Sequence, residues 1–145
     1  MGALSLYDKD FYAWTQEQAR LIKERAVDRL DLTHLFDEVE CMGASEVREL
    51  ESRLEVLLTH LLKWKYQPPR RGASWELTIK EQRKRIEKRL KKMPSLKSIL
   101  DEAFIDAYEV ATYEAAKATK LSFNAFPEQC PWTQEQALDN NFFPD

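Results

Sequence analysis

The sequence predicts an all-α protein, an antiparallel up-and-down helical bundle with short extra helices and extended termini. Apolar residues recur at three- and four-residue steps along most of the chain, which is the spacing of one helix face. Val and Ile are sparse and no run alternates with period two, so no strand is predicted. We expect one domain over residues 1–145, with a core bundle at about 15–120 and a C-terminal tail with one short helix at 121–145.

The first third of the chain predicts an extended arm and two helices. The arm, Leu6–Phe11, precedes a helix that Thr15 opens, with Gln18 three residues later completing a capping box. This helix ends at about Leu30, and a second one ends at about Met42. The side chains expected to be buried are Ala19, Ile22, Ala26 and Leu30 in the first helix and Leu35, Val39 and Met42 in the second.

The third predicted helix begins at Ser45, ends before Pro68, and is the longest and most apolar. Gly43 either stops the helix before it in a left-handed turn or marks a mild kink in one continuous helix. The apolar stripe of the third helix consists of Val47, Leu50, Leu54, Leu57, Leu58, Leu61 and Leu62. This stripe predicts the main core of the bundle, built with the first, fourth and fifth helices.

The fourth and fifth predicted helices meet at Pro94. Ser74 caps the fourth helix, and Ser95 caps the fifth, which ends at about Thr119. The inward residues of the fifth helix are Leu96, Ile99, Leu100, Ala103, Ala107, Val110, Ala111 and Ala118. The hexapeptide WTQEQA occurs at Trp14–Ala19 and again at Trp132–Ala137, and the second copy predicts a short helix that starts at Thr133.

The segment HLLKWKYQPPRRGASWELTIKEQRKRI resembles the signature of domain-of-unknown-function family 29. The positions that carry the resemblance are His60, Lys63, Trp64, Gln67, Pro68, Trp75, Thr78, Ile79, Gln82, Arg83 and Ile86. LYDKDFYAWTQEQA, EVECMG, LESRLEVLL and FPEQCPWT resemble the same family elsewhere in the chain. The resemblance implies a helical protein of the bacterial cytoplasm and implies no activity. Lys120 departs from the pattern, because it stands where the family has a glycine turn.

The charge of the chain is unevenly distributed. The net charge is −3, but residues 70–97 alone carry eleven basic and three acidic side chains. The candidate nucleic-acid surface is Arg70, Arg71, Lys80, Lys84, Lys88, Lys91 and Lys92. The remainder of the chain is acidic and its aromatic residues fit the core, so a solvated face partly paired with acidic neighbours is the favoured interpretation.

No motif of this sequence predicts a metal, a cofactor or a covalent catalyst. His34, Glu38 and Cys41 fall on one side of the second predicted helix, but residue types this common often meet at that spacing by chance. Cys41 and Cys130 form no CxxC pair and predict reduced thiols in a cytoplasm. The chain has three glycines and no phosphate-binding loop, which disfavours nucleotide hydrolysis. No apolar run reaches the ~20 residues of a membrane span.

Several polar residues stand within or beside the apolar stripes and form the candidate polar cluster. These residues are Glu51, Gln82, Arg83, Glu114 and His60. Because a buried lone carboxylate is costly, we expect Glu51, Arg83 and Glu114 to converge, either as a structural ion-pair network, which we favour, or as a charged ligand cavity. His60 could act as a base or ligand, but we favour a packed histidine bonded to a backbone carbonyl.

The function that these observations favour is a non-enzymatic protein-interaction module. The alternative is a nucleic-acid-binding or toxin–antitoxin-type accessory protein that uses the basic helix at 79–97. A third possibility is an enzyme or small-ligand binder that uses Glu51, Arg83 and Glu114.

Overall fold

The computed structural model describes residues 4–145, and this part of the chain contains helices and no strand. The all-α helical bundle predicted from the sequence is confirmed. The α-helices are α1 (Leu6–Lys9), α2 (Phe11–Lys23), α3 (Leu32–Tyr66), α4 (Ala73–Lys92), α5 (Leu100–Thr119) and α6 (Gln134–Leu138). Short 3₁₀ turns lie at Val27–Arg29, Pro68–Arg70, Pro94–Ile99 and Phe123–Ala125.

The chain forms two compact units. Unit 1 ends at Ala44 and contains α1, α2 and the first part of α3, whereas unit 2 is Ser45–Asp145 and contains the remaining elements. The expectation of one domain over residues 1–145 stays a prediction. Gly43 does not end a helix, because α3 is continuous from Leu32 to Tyr66. A glycine within a helix costs only ~1 kcal/mol, which the rest of this long helix outweighs.

The helix starts of unit 1 differ from the prediction. The segment expected to be an extended arm forms α1, where the Ser5 hydroxyl accepts from the Asp8 N–H. Asp10, and not Thr15, caps α2, with its carboxylate accepting from the Ala13 N–H at 3.1 Å. Arg25 adopts φ 59°, a left-handed conformation that ends α2 well before Leu30.

The buried face of α2 also differs from the prediction. Trp14, Gln18 and Leu21 are the buried residues of α2. Ala19 and Ile22, which were predicted to be buried, are exposed instead. A capping residue fixes where a helix begins, and two caps five residues apart compete in this sequence. The cap nearer the N-terminus is the one that forms.

The core of unit 2 is the predicted leucine stripe of α3. Leu50, Leu54, Leu57, Leu58, Leu61 and Leu62 all have no exposed surface. Ile79 and Ile86 of α4 join them, together with a row of alanines on α5 at Ala103, Ala107, Ala111 and Ala115. Small side chains on α5 allow close approach of the helix backbone, so the leucines fill the space between the helices.

Two predicted helix starts in unit 2 are wrong. The residue before α4 is Gly72, which makes no side-chain cap, and Ser74 lies inside the helix. Ser95 lies in the 3₁₀ turn that precedes α5, so the first α-helical residue is Leu100. Val110 and Ala118, predicted to face inward, are exposed, and the buried face of α5 is instead centred on Ala107, Tyr108, Ala111 and Ala115. Lys120 keeps the left-handed turn, at φ 61°.

The C-terminal segment packs onto the core of unit 2. Phe126, Trp132 and Ala137 are buried there. The predicted short helix forms as α6, and its capping box is complete: the Thr133 hydroxyl accepts from the Gln136 N–H at 3.1 Å, and the Gln136 side chain accepts from the Thr133 N–H at 3.0 Å. In the first copy of the hexapeptide, Thr15 lies within α2 and donates to the Tyr12 carbonyl.

The two copies of WTQEQA allow a matched test of the capping assignment. We expect Thr133→Ala to lower the free energy of unfolding by ~1 kcal/mol, because it removes a helix cap. Thr15→Ala should change it by less than ~0.5 kcal/mol, because that threonine caps nothing. Urea denaturation followed by circular dichroism measures both, and a larger loss for Thr15→Ala would contradict the assignment.

Candidate functional site

Arg83 of α4 is the most unusual polar residue of unit 2, because its side chain is 1% exposed. Its Nε donates to the Ala137 carbonyl at 2.7 Å, and its guanidinium carbon lies 5.4 Å from the ring centre of Phe143. The other two guanidinium nitrogens have no hydrogen-bond partner among residues 4–145. Burial lowers the pKa of Arg83 to about 10, although the negative charge of Asp139 acts to raise it. The side chain is therefore still a cation at neutral pH.

The predicted ion-pair network of Glu51, Arg83 and Glu114 does not form. In the described chain no carboxylate lies within salt-bridge distance of Arg83. Glu114 is exposed and its Oε1 is 3.6 Å from the Lys117 ammonium. Glu51 is half-buried, and together with Glu114 it raises the pKa of Glu55, although burial of Glu55 is the larger cause. Arg83 instead faces the C-terminal segment, where a backbone carbonyl takes the place of a carboxylate.

The other two candidate polar residues have local partners. Gln82 is buried, and its side-chain oxygen accepts from Arg53 at 3.4 Å. The His60 Nδ1 lies 2.8 Å from the Val56 carbonyl one turn earlier, which is the packed arrangement favoured from the sequence. Burial is the main cause that lowers the pKa of His60.

A cavity of about 550 Å³ lies beside Arg83, wholly within unit 2. Its apolar wall is Ile86, Leu90 and Leu138, and its charged and polar wall is Arg83, Glu87, Lys91, Lys97, Asp139, Asn140 and Asn141. The Asp139 carboxylate accepts from the Asn141 N–H at 2.9 Å within its own turn. The cavity thus combines one apolar side with a cluster of mixed charge.

A second cavity, of about 1140 Å³, follows α5 and the C-terminal segment. Its wall includes Phe126 and Trp132, which are buried in the packing of that segment. The Tyr108 hydroxyl donates to the Pro127 carbonyl at 2.7 Å, and Tyr113 stacks on Phe123 with ring centres 4.8 Å apart. These contacts hold the C-terminal segment against α5, which explains the aromatic wall without a ligand.

The candidate nucleic-acid surface is partly used by local contacts. Lys80 pairs with Glu76 one turn away at 3.0 Å, and Arg71 donates to the Trp64 carbonyl at 2.6 Å. Four of the predicted residues have no ion pair among residues 4–145 and share one face of α4: Lys84, Lys88, Lys91 and Lys92. The structure therefore leaves a smaller basic face than the sequence suggested.

Unit 1 contains a polar network centred on Asp31. The Asp31 carboxylate accepts from the Trp14 indole at 3.0 Å and lies 2.7 Å from the His34 Nδ1. The Tyr7 ring stacks on His34 with centres 4.0 Å apart, and its hydroxyl bonds Glu38. The Asp31 contact raises the pKa of His34, and in return the His34 contact is the main cause that lowers the pKa of Asp31.

Two members of the sequence-derived metal trio thus have side-chain partners in this network. His34 is held by Asp31, and Glu38 is held by Tyr7, whose pKa it raises to about 12. The third member, Cys41, is exposed. Among residues 4–145 no three His, Cys, Asp or Glu side chains are arranged to hold a metal ion.

Unit 1 also exposes a row of large apolar side chains on α3, which we call the exposed stripe. Its members are Leu32 (63% exposed), Phe36 (64%), Val39 (64%) and Met42 (67%). Val39 and Met42 were predicted to face inward, and that prediction is wrong. Helical spacing of apolar residues indicates that one face of the helix favours burial. It does not indicate whether that face is buried within the same chain or against a partner.

The family of this chain follows from a comparison with family models. The model described as Domain of unknown function DUF29 matches residues 6–143, nearly the whole chain. The chain belongs to the DUF29 family. The resemblance inferred from the sequence is therefore confirmed. For this DUF29 protein, comparisons with curated proteins and with solved structures gave no match. In the described part of the chain, no helix is both long enough and apolar enough to cross a membrane.

The two histidines of this DUF29 protein should titrate on opposite sides of their ordinary pKa of 6.5. His34 should titrate above 6.5 because of Asp31, and His60 should titrate below it, chiefly because of burial. A proton NMR titration of the two imidazole rings measures both. Asp31→Asn should lower the pKa of His34 and leave the pKa of His60 unchanged. Equal pKa values for the two histidines in the unmodified protein would contradict the geometry.

The same shifts fix the sign of a pH effect on stability. The raised pKa of His34 adds stability that is complete below pH 6.5 and is lost as the pH rises through the folded-state value. The lowered pKa of Asp31 adds stability that is present above its ordinary 3.8 and is lost as the pH falls through the folded-state value. The contact between Asp31 and His34 therefore contributes most to the stability of unit 1 between pH 3.8 and pH 6.5, the ordinary pKa values of the two side chains.

Proposed function

We propose that this DUF29 protein is a non-enzymatic protein-interaction module whose exposed stripe binds a basic amphipathic helix of a partner protein. The observation that carries the proposal is the row Leu32, Phe36, Val39 and Met42, with each side chain about two-thirds exposed. Large apolar side chains in one contiguous row are costly to leave in water, and such rows are typical of interaction sites. A helix-in-groove partner uses anchors at this helical spacing.

The charge next to the exposed stripe favours a cationic partner. From Leu32 to Ala44, α3 carries Asp37, Glu38 and Glu40 and no lysine or arginine. Glu38 and Glu40 lie on the two sides of the stripe, and Asp37 lies on the opposite side of the helix. Glu38 is occupied by Tyr7, whereas Glu40 is exposed and has no ion pair among residues 4–145. Two copies of this face would bring like charges together, which disfavours self-association. A helix with leucines on one side and lysines or arginines beside them satisfies both features.

A non-enzymatic role is supported by the sequence, which has no motif of a covalent catalyst and no phosphate-binding loop. The two histidines have partners within the fold: the His60 Nδ1 lies 2.8 Å from the Val56 carbonyl, and His34 contacts Asp31 and stacks on the Tyr7 ring. We infer a bacterial cytoplasm as the compartment, from the family resemblance and from the two unpaired cysteines.

Nucleic-acid binding through α4 is the second candidate. It is supported by the four lysines on one face of the helix, Lys84, Lys88, Lys91 and Lys92. Cations in such a row neutralise phosphates and give binding that weakens with salt. It ranks below protein binding because no aromatic platform accompanies the lysines on α4.

The proposal is tested with two fluorescent amphipathic helical peptides, one patterned with Leu and Lys and the other with Leu and Glu. Fluorescence anisotropy should show saturable binding of the Leu–Lys peptide and at least tenfold weaker binding of the Leu–Glu peptide, because the stripe is flanked by carboxylates. Phe36→Glu should abolish binding. Because Phe36 is exposed, this variant should lose no more than ~0.5 kcal/mol of stability.

The matched control is Leu77→Glu, which places the same charge at an apolar residue of α4 that is 65% exposed. This variant should bind the Leu–Lys peptide as the unmodified protein does. The proposal is wrong if the two variants bind equally, if the Leu–Glu peptide binds as well as the Leu–Lys peptide, or if neither peptide binds.

A further inference from the structure

We propose that the cavity beside Arg83 binds a small organic anion. Its carboxylate or phosphate group would pair with the Arg83 guanidinium, and its apolar part would pack against Ile86, Leu90 and Leu138. The cavity volume of about 550 Å³ lies within the ~300–1,000 Å³ typical of small-molecule pockets. This site is separate from the exposed stripe, so its test does not depend on the partner protein.

The first support is the incomplete hydrogen bonding of Arg83. Arginine has five N–H donors, and here only the Nε donates, to the Ala137 carbonyl. The two terminal nitrogens of the guanidinium are buried and have no partner among residues 4–145. A buried charge without a counter-ion is strongly unfavourable, and the planar pair of terminal nitrogens matches the two oxygens of a carboxylate or phosphate.

The second support is the charge of the cavity wall. Lys91 and Lys97 line the cavity with Arg83, and neither lysine has an ion pair in the described chain. The wall also holds two carboxylates, Glu87 and Asp139. Asp139 accepts from the Asn141 N–H in its own turn, and it lies beyond salt-bridge distance of Arg83. Three cations therefore meet two carboxylates, which leaves one positive charge for a ligand to neutralise.

The turn at Asp139–Asn141 forms part of the wall of the cavity that Arg83 also lines. The terminal nitrogens of Arg83 have almost no solvent-accessible surface, so binding of an anion requires part of the surrounding wall to shift. The residues of this turn are exposed, and short exposed segments open at low cost. Ligand binding should therefore change amide hydrogen exchange at Asn140 and Asn141.

The test uses hexyl phosphate, hexanoate and inorganic phosphate as anions, and hexan-1-ol as a neutral control, in isothermal titration calorimetry. We expect saturable binding of hexyl phosphate or hexanoate to the full chain, at least tenfold weaker binding of inorganic phosphate, and none of hexan-1-ol. The tighter of the two organic anions identifies the head group. No saturable binding of either organic anion, or equal binding of hexan-1-ol, would overturn the proposal.

Variants locate the binding. Arg83→Met should abolish binding of the organic anion, and the Lys91→Met/Lys97→Met double variant should weaken it at least tenfold. The matched control, Lys84→Met, removes a lysine of the same helix that does not line the cavity and should leave the affinity unchanged. If Arg83→Met does not fold, the affinities of the lysine variants show whether the anion binds at this cavity. An equal loss of affinity for the organic anion in the double variant and in the Lys84→Met control would refute a site at this cavity.

Discussion

Burial of the α3 leucines is the interaction on which unit 2 depends. Six leucines between Leu50 and Leu62 have no exposed surface, and each buried leucine contributes about 1.5–3 kcal/mol. The alanines of α5 and the isoleucines of α4 complete this core. The C-terminal segment then covers it with Phe126 and Trp132. Arg83 enters the same region from α4, so the one buried cation of unit 2 is held by the packing of its apolar neighbours.

The arginine and the exposed stripe are two departures from an ordinary helical core. A buried guanidinium is costly, and its single bond to the Ala137 carbonyl offsets only part of the cost. The exposed stripe is the opposite case, because apolar side chains remain in water. Sequences usually depart from consistent packing where a function requires it. These two departures are therefore where we propose binding, of a small anion in unit 2 and of a partner helix in unit 1.

Much of the fold could be predicted from the sequence, because its causes are local. The leucine stripe of α3 and the capping box at Thr133 depend on residues a few positions apart, and both form as predicted. The start of α2 was missed because Asp10 and Thr15 both suit a helix cap. Whether Val39 and Met42 are covered depends on surfaces that the spacing of apolar residues does not specify.

The candidate site could be predicted only in part. The sequence marked Arg83 as a polar residue beside an apolar stripe, but it paired the side chain with Glu51 and Glu114. Its true partner is a backbone carbonyl at Ala137, which any residue type would provide and which therefore leaves no signal in the sequence. The cavity beside it likewise depends on where the turn at Asp139–Asn141 lies.

The most direct test of the proposed function is site-specific photo-crosslinking in the native cells. The photoreactive residue p-benzoylphenylalanine would replace Phe36 in one strain and, as a control, Leu77 in another. The account predicts a cross-link from position 36 to one partner protein, at a helical segment rich in lysine or arginine, and none from position 77. Cross-links from position 36 to a second copy of this chain or to an acidic segment, or no more than from position 77, would contradict it.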